Sequence, residues 1–217
     1  MFGFRLVLSK IYALLKFVIS LMVTFALLGV PFFWALFQRR RLLAAAAGQG
    51  WKIIRAQASH DSDKLKKKMN GVPMEVRPDD AFGAQVFAGF STIKGIDIRN
   101  RPGDGGRHDL KKAHDFPVGD PRFDAMFPVH RARQAETNGL LANPDAIESL
   151  VMLRSRWMFA ISRIEITRHY MLVCFNYGTP LAYYLPSRVL EPFCSEFSSV
   201  AALWDAALGY NGQKIND

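Results

Sequence analysis

Hydrophobic and polar positions divide the chain into two unequal parts. From Phe17 to Phe37 the sequence FVISLMVTFALLGVPFFWALF carries no charged residue. As a helix, a run of about 21 residues spans roughly 30 Å, the thickness of a bilayer core. The expectation is a transmembrane helix over 17–37. Residues 1–16 before it read as an amphipathic, basic segment in which Arg5, Ser9, Tyr12 and Lys16 fall on one helical stripe among apolar neighbours. Residues 38–50 read as a juxtamembrane helix, rich in Leu and Ala and stopped by Gly48 and Gly50.

After residue 50 the pattern changes to short apolar alternations broken by turn signals, as expected of one soluble domain over 51–208 with a polar tail at 209–217. Strands are expected at Trp51–Ala56, at Val72–Arg77, at Gln85–Ser91 and at Gly95–Arg99, where Ile96 and Ile98 alternate with Asp97 and Arg99. Pro73 marks the second of these as a sheet-edge strand, because proline donates no ladder hydrogen bond. The charged piece 58–69 reads as a helix, followed by a turn at Asn70–Gly71. Pro144–Arg154 reads as a helix capped by Asn143, with Ile147, Leu150, Val151 and Leu153 inward. Trp157–Ile166 and Met171–Tyr177 read as a hairpin whose second strand, continuously apolar, is central. Leu190–Leu208 reads as an amphipathic helix that puts Phe193, Phe197, Val200, Ala201, Leu203, Trp204 and Leu208 against the sheet. The fold class is therefore α+β: a single N-terminal transmembrane helix, then a mainly antiparallel β-sheet domain covered by two or three helices.

Charge adds an address. The formal net charge is +9 and the pI about 9.8. Next to an apolar span, the economical partner for that charge is an anionic lipid headgroup layer, and no nucleic acid is expected. The residues that would touch membrane or partner are Arg5, Tyr12, Lys16, Gly29, Pro31, Trp34, Arg39, Arg40 and Arg41. Trp34 suits the interfacial belt, and Pro31 needs neighbours that compensate its lost hydrogen bond. The apolar run is longer than a cleavable signal core and ends in three arginines, so it reads as an uncleaved anchor. Lys and Arg are denser after the span than before it. The positive-inside rule then puts the domain in the cytoplasm of a bacterial inner membrane.

Chemistry motifs are sparse. The two cysteines, Cys174 and Cys194, lie far apart and read as buried thiols without a disulfide or zinc site. Arg101–Gly106 is glycine-rich but lacks the phosphate-loop pattern, and the pairs His108–Asp109 and His114–Asp115 lack metal-ligand spacing. No catalytic residue, cofactor or metal is assigned. One function expected on these grounds is a non-enzymatic accessory, structural or assembly subunit of a larger membrane complex, with integral membrane protein subunits as partners. The alternative is a membrane-tethered enzyme or ligand-binding domain whose site is assembled from distant residues such as Asp97, Arg99, His108, Asp124 and His130.

One stretch carries a resemblance. In VGDPRFDAMFPVHR, residues Asp120, Pro121, Phe123, Asp124, Phe127 and Val129 are followed by Leu140, Leu141 and Pro144. The pattern D-P-x-F-D-x-x-F-x-V resembles an uncharacterised family of bacterial membrane-anchored proteins. Trp51 and the strand beginning Gly71–Val72–Pro73 also look like that family's earlier strands. Ala125 and Met126 depart from it, standing where basic residues are common. The resemblance implies the anchored α+β architecture and no activity. Read from the residues themselves, Asp120, Pro121, Phe123, Asp124 and Phe127 form a turn and an aromatic staple of the core.

Overall fold

The computed structural model describes residues 2–56, 63–79, 83–100, 117–127, 129–132, 134–158, 160–175, 177–179 and 182–209. The expectations placed on the loop 101–106, His108, His114 and the tail from residue 210 lie outside these residues. So do the side chains of Arg5, Pro31, Arg99 and His130.

The segments expected at 1–16, 17–37 and 38–50 lie along one continuous helix. A single helix, α1 (Phe2–Gly48), runs through both expected boundaries. It is long and apolar enough to cross a membrane, with Lys10–Leu27 as the candidate span. The helix ends in a reciprocal cap: Trp51 N–H donates to the Ala46 carbonyl at 3.0 Å and Gly50 N–H to Ala47 at 3.3 Å. Gly50 takes φ +78°, the left-handed conformation that this ending requires.

Behind α1 stands an eight-stranded antiparallel sheet. Its strands are β1 (Lys52–Ile54), β2 (Lys64–Met69), β3 (Val72–Asp79), β4 (Gly83–Gly89), β5 (Asp97–Asn100), β6 (Val129–Arg131), β7 (Ile161–Ile166) and β8 (Tyr170–Phe175). Their spatial order is β1-β2-β3-β4-β8-β7-β5-β6. The apolar β8 lies between β4 and β7, as a strand buried on both faces must. A two-stranded ribbon of β9 (Tyr177–Thr179) and β10 (Ala182–Tyr184) follows.

Two expectations fail here. Lys64–Met69 is a strand and not part of a helix. The register explains it: Leu65 points into the core while Lys66 and Lys68 point out, and Asn70 and Gly71, at φ 49° and 82°, form the tight turn that pairs this segment with β3. Lysine fits either element locally, and cross-strand pairing decides. The strand at Val72 is also not an edge, because β3 lies between β2 and β4. Pro73 is tolerated because the β3–β4 ladder starts one residue later, at Met74 opposite Ala88.

The helices are α2 (Pro121–Met126), α3 (Gln134–Leu141), α4 (Pro144–Arg156) and α5 (Ser187–Gly209). α5 lies on β2–β4 and also packs against α1, α3 and α4. Its residues Phe193, Phe197, Val200, Ala201, Trp204 and Leu208 are buried as expected, but Leu203 is 44% exposed. Asn143 starts α4 without capping it through its side chain, which donates to the Gly139 carbonyl at 2.7 Å instead. The short α3 had no periodicity to announce it. Trp204 Nε1 donates to the Ala146 carbonyl at 2.7 Å and so ties α5 to α4.

Candidate functional site: the helix–domain junction and the outer sheet face

Burial along α1 changes at one place. Large apolar side chains from Ile11 to Phe37, among them Leu14, Phe25, Val30, Phe33 and Trp34, are about half or more exposed. From Gln38 onward the helix enters the domain: Gln38, Leu42, Leu43 and Ala46 are buried, and the last three belong to the main core. The spacing of 38, 42, 43 and 46 is one face of a helix, docked on α5, β10 and β1.

Polar contacts lock this junction at two levels. At the lower level, the buried Asp63 meets the guanidinium of Arg39 at 3.6 Å and that of Arg55 at 3.3 Å, and accepts from Ala56 N–H at 3.0 Å. At the upper level, Lys67 pairs with Glu191, donates to the Gln49 carbonyl at 2.9 Å and lies over the Trp51 ring. Glu191 also accepts from Trp51 Nε1 at 3.0 Å. The Lys67 charge sits at the C-terminal end of α1, where the helix dipole favours a cation. Arg39 to Gln49 is about 15 Å of helix, and Asp63 to Lys67 is about 13 Å of strand. β2 therefore runs alongside the end of α1, rising away from Arg39.

The residues expected to touch membrane or partner divide accordingly. Tyr12 and Lys16 are exposed, with the Lys16 ammonium 4.6 Å from the Tyr12 ring. Trp34 and Phe37 rings lie 6.1 Å apart, and Arg41 covers Phe37 at 5.7 Å. Arg40 and Arg41 are exposed, whereas Arg39 is half-buried and holds the domain. A Cβ at Gly29 would meet Phe25 at 3.5 Å, an ordinary contact, so packing within the chain does not demand glycine there. Arg5 and Pro31 both lie within α1.

The motif at 120–127 has a clear geometry. Asp120 caps α2 by accepting from Arg122 N–H at 2.9 Å and Phe123 N–H at 3.0 Å, with Pro121 at the first helical position. The Asp124 carboxylate accepts from Val118 N–H at 2.8 Å and Gly119 N–H at 3.0 Å. Phe123 and Phe127 are fully buried 5.0 Å apart, and Phe123 stacks on Trp204 at 5.9 Å. Asp124 is thus committed to backbone donors, which removes it from a candidate catalytic set. Among the described residues no group of His, Cys, Asp and Glu could hold a metal.

The sheet's outer face, away from α5, is polar. Cross-strand register places Lys66 beside Glu75, Glu75 beside Phe87 and Phe87 beside Leu172. The next row holds Lys68 beside Pro73, and Gly89 beside Tyr170. Between the rows lies an open groove of about 350 Å³ lined by Lys66, Pro73, Glu75, Arg77, Phe87, Gly89, His169 and Tyr170. Burial raises the pKa of the Glu75 carboxyl, but hydrogen bonds from Arg77 and Lys66, with their charges, hold it below the usual range. The Arg77 guanidinium lies 4.4 Å from the Phe87 ring, and Phe87 meets Tyr170 edge-on at 5.2 Å.

No protein-family model matches the sequence, and no characterised protein matches it. Among solved structures, the crystal structure of the mycobacterial trehalose monomycolate transport factor A, TtfA, is similar over 78% of this chain and 93% of that one. The identity is 10% and the TM-score 0.48, a level that transfers no residue and no role.

Proposed function

We propose that the chain is a non-enzymatic single-pass membrane protein that serves as an accessory or assembly subunit of a larger membrane complex. One observation carries this reading: the same helix exposes apolar side chains from Ile11 to Phe37 and then enters the domain core at Gln38. Lipid or a second membrane helix is the natural cover for the exposed part. The buried part holds the domain directly at the surface of that cover. Arg40, Arg41, Arg55 and Lys64 then lie at headgroup level, each gaining on the order of 1 kcal/mol from anionic lipid. The positive-inside rule puts the domain in the cytoplasm, with the bacterial inner membrane as the location. Cys174 and Cys194 are buried and not joined in a disulfide, which accords with a reducing compartment.

Replacing Met1–Phe37 with an unrelated apolar anchor tests the reading. The expected outcome is a folded, membrane-bound domain that no longer migrates with a larger complex after mild detergent extraction. Unchanged migration would place the association in the domain alone. A native chain that migrates as a lone monomer would remove the subunit reading.

A further inference from the structure

We infer that the outer-face groove is a docking site for an acidic, extended segment of a partner protein, whose apolar side chain seats over Gly89. The proposal names the kind of contact through which the subunit described above would engage its complex, and it rests on that reading for the exclusion of lipid.

The groove has a floor, walls and a charged rim. Its floor is Gly89 and Pro73; a Cβ at Gly89 would come within 2.9 Å of Pro73 Cγ, so the depression exists because residue 89 has no side chain. Its walls are the rings of Phe87 and Tyr170, held edge to face, with Arg77 stacked on Phe87. An apolar floor between aromatic walls suits one leucine or aromatic side chain.

The rim decides the charge of the occupant. Glu75, the acid lining the groove, is held by Lys66 at 3.1 Å and Arg77 at 2.5 Å, and further along the same face Glu165 is held by Arg163. Lys64 and Lys68 on the same strand, and Arg168 beside His169, have no acidic partner among the described residues. Lys52 stands directly opposite Lys66, whose ammonium is already paired with Glu75, so Lys52 adds a further positive charge to this face. The unsatisfied charge on this face is therefore positive, and its complement is acidic.

Position separates protein from lipid. Lys68 lies five residues along β2 from Asp63, roughly 17 Å above the level of Arg39. Gly89 and Tyr170 share that upper level by register. A lysine or arginine side chain does not reach headgroups from there.

The test uses the full chain in zwitterionic detergent and three short fluorescent peptides. One alternates Glu with Leu and carries a Trp; the second has Gln for Glu; the third has Ser for Leu and Trp. The first is expected to bind, with both controls weaker by about tenfold or more. The exposed double variant Lys68→Glu/Arg168→Glu should lower its binding by a similar factor, and Gly89→Ala should lower it by filling the floor. Equal binding of the Gln peptide, indifference to all three substitutions, or no binding of any peptide would overturn the proposal. So would salt-sensitive binding of short-chain phosphatidylglycerol by the full chain in the same detergent that depends on Lys68 and Arg168. None of these outcomes alters what the anchor replacement shows, so the two readings fail separately.

Discussion

Leu42 and Leu14 sit on the same helix in opposite environments: 2% against 66% exposed. If α1 is part of the domain, truncating the first must unfold it more easily and truncating the second must not. Leu42→Ala removes a fully buried side chain packed within the main core, a change that costs about 2–5 kcal/mol including the cavity left behind. For a domain of this size each kcal/mol lowers the melting temperature by about 2–4 °C. A cost near 3 kcal/mol therefore lowers it by about 6–12 °C. Leu14→Ala should stay within about 0.5 kcal/mol of the parent. The assay is thermal unfolding of the full chain in mild detergent, followed by tryptophan fluorescence, which reports the buried Trp51 and Trp204. Equal melting of the two variants would refute the reasoning. The helix would then be a tether whose contacts with the domain carry no weight.

Three further predictions concern the domain. Asp120→Ala removes the cap of α2 and should cost about 1 kcal/mol. Asp124→Ala strands two backbone donors and should cost about 1–3 kcal/mol; both are read by chemical denaturation, and a neutral Asp124→Ala would show that the carboxylate is not holding the 118–119 turn. Acid should also weaken the fold in a defined direction. For Glu75 and Asp205, burial raises the pKa, but for Glu75 the bonds from Arg77 and Lys66, and for Asp205 the bonds from Ser91 and Lys94, lower it further. Their folded pKa values are therefore depressed. Their contribution is complete above the unfolded values near about 4 and is lost as pH falls through the lower folded values. Glu75→Gln should accordingly lose less stability than the parent on acidification below about pH 4; an identical acid limb would contradict the assignment.

The sequence announced those parts of the fold that local chemistry determines alone. The apolar run, the Asn70–Gly71 turn, the inward face of α4 and the aromatic stripe of α5 each follow from a period or a turn residue, and each stands where the pattern puts it. The failures share one cause, which is that pairing with another strand decides. The lysines of β2 alternate correctly for a strand, but nothing local outweighs their helical reading until β3 pairs with them. Pro73 looks like an edge residue because proline donates no ladder hydrogen bond, yet β3 is flanked by β2 and β4, and the β3–β4 ladder begins one residue later, at Met74. The junction was half legible. Leu42, Leu43 and Ala46 form a one-sided stripe in the segment expected as a juxtamembrane helix, whereas Asp63 and Glu191 show nothing in sequence of their hold on Arg39, Lys67 and Trp51. The groove was not legible at all, since it depends on a glycine of β4 placed against a proline of the neighbouring β3.

The contacts of α1 with α5, β1 and β10 make the helix and the domain move as one body. Spin labels at Phe33, on the exposed part of α1, and at Lys68, on the outer sheet face, measure this in a lipid bilayer by pulsed electron resonance. A docked helix gives a single narrow distance distribution that broadens when Asp63→Ala and Glu191→Ala are combined. A broad distribution in the parent chain, unchanged by those substitutions, would contradict it.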